Sequence, residues 1–201
     1  MLSKDELLRP LAELRTEEVV VTCMSVTRPW GRLSDHDLDF ASADSAMGHT
    51  ADLALGVALA QPHRRVLCLN GDGSMLMSLG TLASIVEADA RNLVLFVLEN
   101  GSYEITGNQP IPGAGRIDFG GLARAAGFPR VYDLVWALDF ETVLPAILSK
   151  EGPIFVVVQM QQGEEGPISR SQAEEARYLK TSLAEWSRSF RRALMNSQER
   201  E

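Results

Sequence analysis

Cysteine is scarce. The chain has only Cys23 and Cys68, and no Cys-x-x-Cys pair, so an iron–sulfur site is not expected. Both cysteines fall in segments read as buried strands, which favours reduced core thiols and a cytoplasmic setting over a disulfide. Long hydrophobic runs are missing too: the longest stay under ten residues, too short to span a bilayer, so no membrane association is expected. The N-terminus lacks the basic stretch and apolar run of a secretory signal. Positive charge is in deficit, with 19 Lys and Arg against 27 Asp and Glu and a net charge of −8. The excess lies in residues 1–162, while 163–201 are balanced. An acidic body repels a phosphate backbone, so no nucleic-acid partner is expected. What remains is a soluble globular composition, 45% apolar and 23% charged, in a chain long enough for one sizeable core.

Apolar runs alternate with helix-like segments. Residues 18–24, 65–70, 92–98 and 153–158 read as strands, with a shorter one at 131–133. Residues 46–60, 75–87, 119–126 and 139–149 read as helices, the last in spite of Pro145, and 25–42 as polar and irregular. This alternation predicts an α/β fold, three layers with a mostly parallel sheet between helices. Ser3-Lys4-Asp5-Glu6 fits a capping box before an apolar face of Leu7, Leu8, Leu11 and Leu14, although Pro10 should disturb or break that helix. Residues 161–167 read as a linker. Ser171-Gln172-Ala173-Glu174 is a second capping box before a C-terminal amphipathic helix with Leu179, Leu183, Trp186, Phe190 and Leu194 at helical spacing. The expected organisation is an α/β domain over 1–162 and a linker with a helical extension over 163–201.

The chemistry concentrates at two strand ends. Gly71-Asp72-Gly73-Ser74 follows one buried strand, and Asn100 follows the next, 26 residues after Ser74. In an open parallel sheet that edge is where ligands bind. An Asp carboxylate and an Asn carbonyl are hard oxygen donors suited to Mg²⁺, which commonly also takes phosphate oxygens. The glycines let backbone approach a phosphate, and the following helix turns its N–H groups toward it. An anionic ligand in this acidic body would be held by metal and backbone dipoles more than by a basic cluster.

This spacing resembles the diphosphate-binding signature of thiamine diphosphate (ThDP) enzymes. The likeness covers residues 17–160. Ser45-Ala46-Met47-Gly48 resembles the segment that holds the cofactor's bend, and residues 71–79 and 100–110 resemble the β-type subunit of sulfopyruvate and phosphonopyruvate decarboxylases. The resemblance implies the ThDP-binding fold, with Asp72, Asn100 and the Ser102 carbonyl as Mg²⁺ ligands. It implies that Gly71, Gly73 and Ser74 cradle the diphosphate. Ser45 would accept from the aminopyrimidine, Met47 would prop the bend, Gly48 would admit the diphosphate, and Ile105 would line the thiazolium pocket. Glu104 and His49 are the candidates for catalysis. Against these stand plainer readings: a helix-capping Asp, a core Met, a solvated loop Glu and an exposed His. Two positions depart from the family pattern: Glu99 replaces the first Asn of the usual pair, and Asn108 replaces a Gly.

ThDP enzymes need a second, pyrimidine-binding domain, and these residues hold only the first kind. The resemblance therefore implies an α-type partner chain carrying that domain, in an α₂β₂ or larger assembly with self-association through the ThDP-fold interface. It implies decarboxylation of a small 2-oxo acid. Alternatives are an acetolactate-synthase-like carboligase subunit, a 2-oxoacid oxidoreductase β subunit, which the missing cysteine clusters disfavour, and a non-catalytic binding protein of the same fold.

Overall fold

The structure, a computed structural model, describes residues 1–44 and 47–196. In chain order the first half runs α1 (Lys4–Leu14), β1 (Val19–Thr22), α2 (Met24–Gly31), β2 (Asp39–Phe40), α3 (Thr50–Ala60), β3 (Val66–Gly71), α4 (Asp72–Met77) and α5 (Thr81–Glu87). The second half runs β4 (Leu93–Glu99), β5 (Ser102–Tyr103), β6 (Gln109–Pro110), α6 (Phe119–Ala126), β7 (Arg130–Leu134), α7 (Ala137–Ser149), β8 (Ile154–Gln159) and α8 (Leu183–Asn196). Six strands form one sheet in the order β2-β1-β3-β4-β8-β7, and every ladder in it is parallel. Successive residues of β3 and β4 are buried without alternation, as strands covered by helices on both faces must be. This is the three-layer α/β arrangement the alternation predicts. No helix among the described residues is long and apolar enough to cross a membrane.

From β1 the chain goes to β2 on one side and then to β3 on the other. The order therefore reverses between β1 and β3, and a crevice opens at their carboxyl ends. Residues 23–25 follow β1 there, and the Gly-Asp-Gly-Ser turn follows β3.

Several elements differ from the sequence reading, each for a local reason. Helix α1 opens with the reciprocal Ser3–Glu6 cap but runs through Pro10. Leu7, Leu8 and Leu11 are fully buried, and their packing outweighs the one backbone bond that Pro10 removes. Leu14 leaves that face and is exposed. Residues 25–42 are not irregular: they hold α2 and β2. Val26 and Trp30 of α2 point into the core, while Arg28 of the helix and Arg32 just after it pair with Glu165 and Glu174, which hides the helix behind a polar composition. The helix expected from 46 starts at Thr50. The one expected over 75–87 begins at Asp72 and breaks at Ser78 (φ −139°, ψ 44°), giving α4 and α5.

The capping box at Ser171 opens no helix. The Glu174 carboxylate is taken by Arg28 Nε at 2.9 Å, and Ser171 Oγ caps a turn at Ala173. The same pattern recurs at Ser182 and Glu185, and there it starts α8. Leu179 belongs to a separate short turn, Arg177–Leu179. Helix α8 lies on the body beside β2: Trp186 Nε1 donates to the Asp39 carbonyl at 2.7 Å, and Phe190 meets Phe40 edge-on at 5.1 Å.

Candidate functional site

At the carboxyl ends of β1, β3, β4 and β8 the chain encloses a cleft of about 110 Å³. Its walls include Met24 and Ser25 after β1, residues 71–74 after β3, Asn100 and residues 102–106 after β4, and Met160 and Gln161 after β8. The two motifs that sequence spacing singled out therefore meet in one place.

Asp72 is the first residue of α4 and is 2% exposed. Its Oδ1 accepts from the Gly73 N–H and its Oδ2 from the Gly101 N–H, both at 2.7 Å. The second bond ties the β3 turn to the loop after β4. Burial pushes the Asp72 carboxyl above the usual carboxylate range, while those N–H groups pull it back. None of the ion pairs among the described residues includes Asp72. A buried anion without a counter-charge is the chemistry of a cation site. Asn100 lies beside it. Its Oδ1 accepts from the Ser102 N–H at 3.0 Å, and its Nδ2 donates to Glu104 Oε2 at 3.2 Å. Among the described residues no group of three or more His, Cys, Asp or Glu could hold a metal. A metal here would need Asp72, the Asn100 amide oxygen, a carbonyl and oxygens of its ligand, a donor set that suits Mg²⁺.

The other candidates fall as follows. Ser74 is buried, and its Oγ accepts from the Gly48 N–H at 3.0 Å, which leaves its own proton to donate. Gly48 sits at φ +91° with Met77 against it, so a side chain would be strained there. Gly73 is held to glycine by a neighbour: a Cβ would come 2.5 Å from the Tyr103 ring. Gly71 has room for a Cβ, with Cys23 Sγ at 3.5 Å. Met47 and Ile105 line the cleft. Ser102 is buried, and its Oγ donates to Asn108 Oδ1 at 2.8 Å. Asn108 has φ +59°, the left-handed region that Asn tolerates and Gly favours. Ser45 lies outside the described residues.

The two catalytic candidates stand differently. His49 is not among the cleft's lining residues. It precedes α3 with its ring exposed, and its Nδ1 lies 3.0 Å from Asp52 Oδ2. Glu104 lines the cleft but is not a solvated loop acid: its side chain is fully buried and paired with Lys4 at 2.6 Å. Lys4 and Tyr103 are among the cleft residues to which sequence reasoning gave no role, with Met24, Ser25, Met160 and Gln161. Lys4 is a hundred residues from its partner, and no local pattern marks it. Both cysteines are free and buried; Cys23 Sγ lies 3.4 Å from Ser25 Oγ on the cleft wall.

Comparison with known proteins agrees with this geometry. Residues 25–158 match the family described as thiamine pyrophosphate enzyme, C-terminal TPP binding domain. The chain is 36% identical to a phosphonopyruvate decarboxylase of Streptomyces viridochromogenes over 84% of its own length, but spans only 42% of that protein. It is 33% identical to the β subunit of sulfopyruvate decarboxylase of Methanothermobacter thermautotrophicus, covering 87% of this chain and 91% of that subunit. In fold it is similar to a thiamine diphosphate-dependent 4-hydroxybenzoylformate decarboxylase of Rhodococcus jostii, with a TM-score of 0.66 at 24% identity over 82% of this chain and 33% of the other. The match spans well over half of the chain and contains both strand-end motifs, so the chain belongs to the thiamine pyrophosphate enzyme family, as a C-terminal TPP-binding domain.

Proposed function

We propose that the chain is the diphosphate- and Mg²⁺-binding subunit of a decarboxylase of small 2-oxo acids of the sulfopyruvate or phosphonopyruvate kind. It would act with a separate chain that carries the pyrimidine-binding domain. The observation that carries this reading is Asp72: a buried carboxylate without a counter-ion, at the carboxyl end of β3 and bonded through the Gly101 N–H to the Asn100 loop.

On this reading Asp72, Asn100 and Ser102 hold the metal. Gly71, Gly73 and Ser74 meet the diphosphate, with the Ser74 hydroxyl donating. Gly48 keeps its passage open, and Met47 and Ile105 form apolar walls that exclude water. When bound, ThDP supplies the electron sink that lets a 2-oxo acid lose its carboxylate as CO₂. The protein's part is to orient and to keep water out. Glu104, being ion-paired, is not the free acid or base that its place in the loop suggests, and His49 carries no role in this reading. Residues 1–162 are the cofactor-binding body, and 163–201 are a linker and extension whose helix α8 lies beside β2.

Two features support a partner. The cleft of about 110 Å³ is below the ~300–1,000 Å³ of complete ligand sites, as expected of a half-site that a second chain completes. The relative matched along 91% of its length is itself named as a subunit.

The test is calorimetric titration of the full chain with ThDP, with and without Mg²⁺, using Asp72→Ala as control. Binding that needs both Mg²⁺ and Asp72 is the expected result. Binding indifferent to either overturns the assignment of the site to this chain; if the chain alone does not bind, the same titration on the chain co-purified with its partner decides, and no Asp72-dependent binding there overturns it. Product analysis of the reconstituted pair with pyruvate and with sulfopyruvate separates decarboxylation from carboligation.

A further inference from the structure

The Glu104 carboxylate gathers three separate stretches of chain. Lys4 Nζ of α1 reaches Oε1 at 2.6 Å and also donates to the Ser25 carbonyl at 3.0 Å. The Glu165 N–H, from the segment after β8, donates to Oε1 at 2.9 Å. Asn100 Nδ2 donates to Oε2 at 3.2 Å. A Cβ at Gly163 would collide with Oε1, so the segment passes directly against the carboxylate. The Glu104 side chain has no solvent exposure. A buried carboxylate is retained only when it is paired and hydrogen-bonded, as this one is.

This arrangement decides which way the Asn100 amide turns. An ionised carboxylate only accepts, so it takes the NH₂ end. The amide oxygen is left with the Ser102 N–H at 3.0 Å and, more distantly, the Ser102 hydroxyl at 3.4 Å, and is the atom available to a cation beside Asp72. We propose that the Lys4–Glu104 pair is a positioning device that fixes the Asn100 amide oxygen toward the metal, and that Lys4 of the N-terminal helix therefore belongs to the cofactor site. The inference rests on the reading of Asn100 as a metal ligand. It extends the site beyond residues 25–158, the stretch that matches the family.

The test has two readouts on the full chain. The first is the side-chain amide resonance pair of Asn100 in a ¹H–¹⁵N spectrum without cofactor, identified by its loss in Asn100→Asp. Glu104→Gln and Lys4→Met should each shift that pair, while Arg9→Ala, which removes an exposed pair on the same helix, should not. The second is Mg²⁺ titration in the presence of ThDP, where both variants should weaken Mg²⁺ binding about tenfold or more, the usual effect of removing a partner of a metal ligand. An Asn100 pair that stays in place in these variants, or an unchanged Mg²⁺ affinity, overturns the proposal. If Glu104→Gln fails to fold, Lys4→Met decides alone, since its ammonium sits at the edge of the buried cluster. Failure of the metal-site reading is distinguishable: Asp72→Ala would then bind Mg²⁺ like the wild type, while the amide shifts would still be seen.

Discussion

On the proposed reading, Asp72 is a burden to the chain until a cation binds. Its carboxyl is raised by burial, so the folded state holds that proton more tightly than the unfolded state does. The stability it contributes is therefore complete below the unfolded Asp value of about 4 and is lost as pH rises through the raised folded value. We expect the metal-free wild type to lose thermal stability relative to Asp72→Ala as pH climbs through that window, with Mg²⁺ and ThDP closing the gap at neutral pH; thermal melts across pH check this. Gly73 gives a second prediction. In Gly73→Ala the new Cβ meets the Tyr103 ring, so the variant should lose about 1–3 kcal/mol in denaturant unfolding, as overpacked sites do. Adding Tyr103→Ala should cost less than the two losses summed, because the clash is then gone. Asp72 and Asn100 were legible in the sequence because each follows directly on a run of buried strand. Tyr103 was visible only as a loop residue, and Lys4 not at all, because its role comes from tertiary packing.

Buried strands announce themselves through unbroken apolar runs, and β3, β4 and β8 were legible within a residue or two at each end. The helices were harder to read where side-chain partners decide. Ser171 and Ser182 each begin the same Ser-x-x-Glu pattern, yet only Ser182 caps a helix, because Arg28 draws Glu174 away from the first. Nothing within ten residues of Ser171 reveals that competitor. In the same way α2 was hidden by arginines whose partners lie in the segment after β8. Helix α8 depends on its two aromatic anchors. Trp186→Ala should lower stability by about 3–5 kcal/mol, the cost of truncating a buried aromatic, measured by urea unfolding. Glu185→Ala, which removes an exposed half of the cap, should cost about 0.5–1 kcal/mol in the same assay.

Helix α3 is apolar nearly all round, and its outer face keeps Leu53 and Leu59 exposed, with Met77 exposed beside its first turn. Helices of that composition are normally covered on every side. Leu59→Glu should leave the melting temperature of the isolated chain within a degree or two, since Leu59 is more than half exposed and outside the core; if the proposed partner covers this face, sedimentation analysis of the two chains should show weaker association. The ends of the sheet tell the opposite story. On the β2 side Trp186 of α8 occupies the Asp39 carbonyl. On the β7 side the outermost strand carries Arg130 and an Asp133 paired with Arg124. Each border thus carries a feature that discourages strand addition by a neighbouring chain. A chain cut before Ser182 would lose that protection on one border, and edge-to-edge aggregation would become its easiest route out of solution.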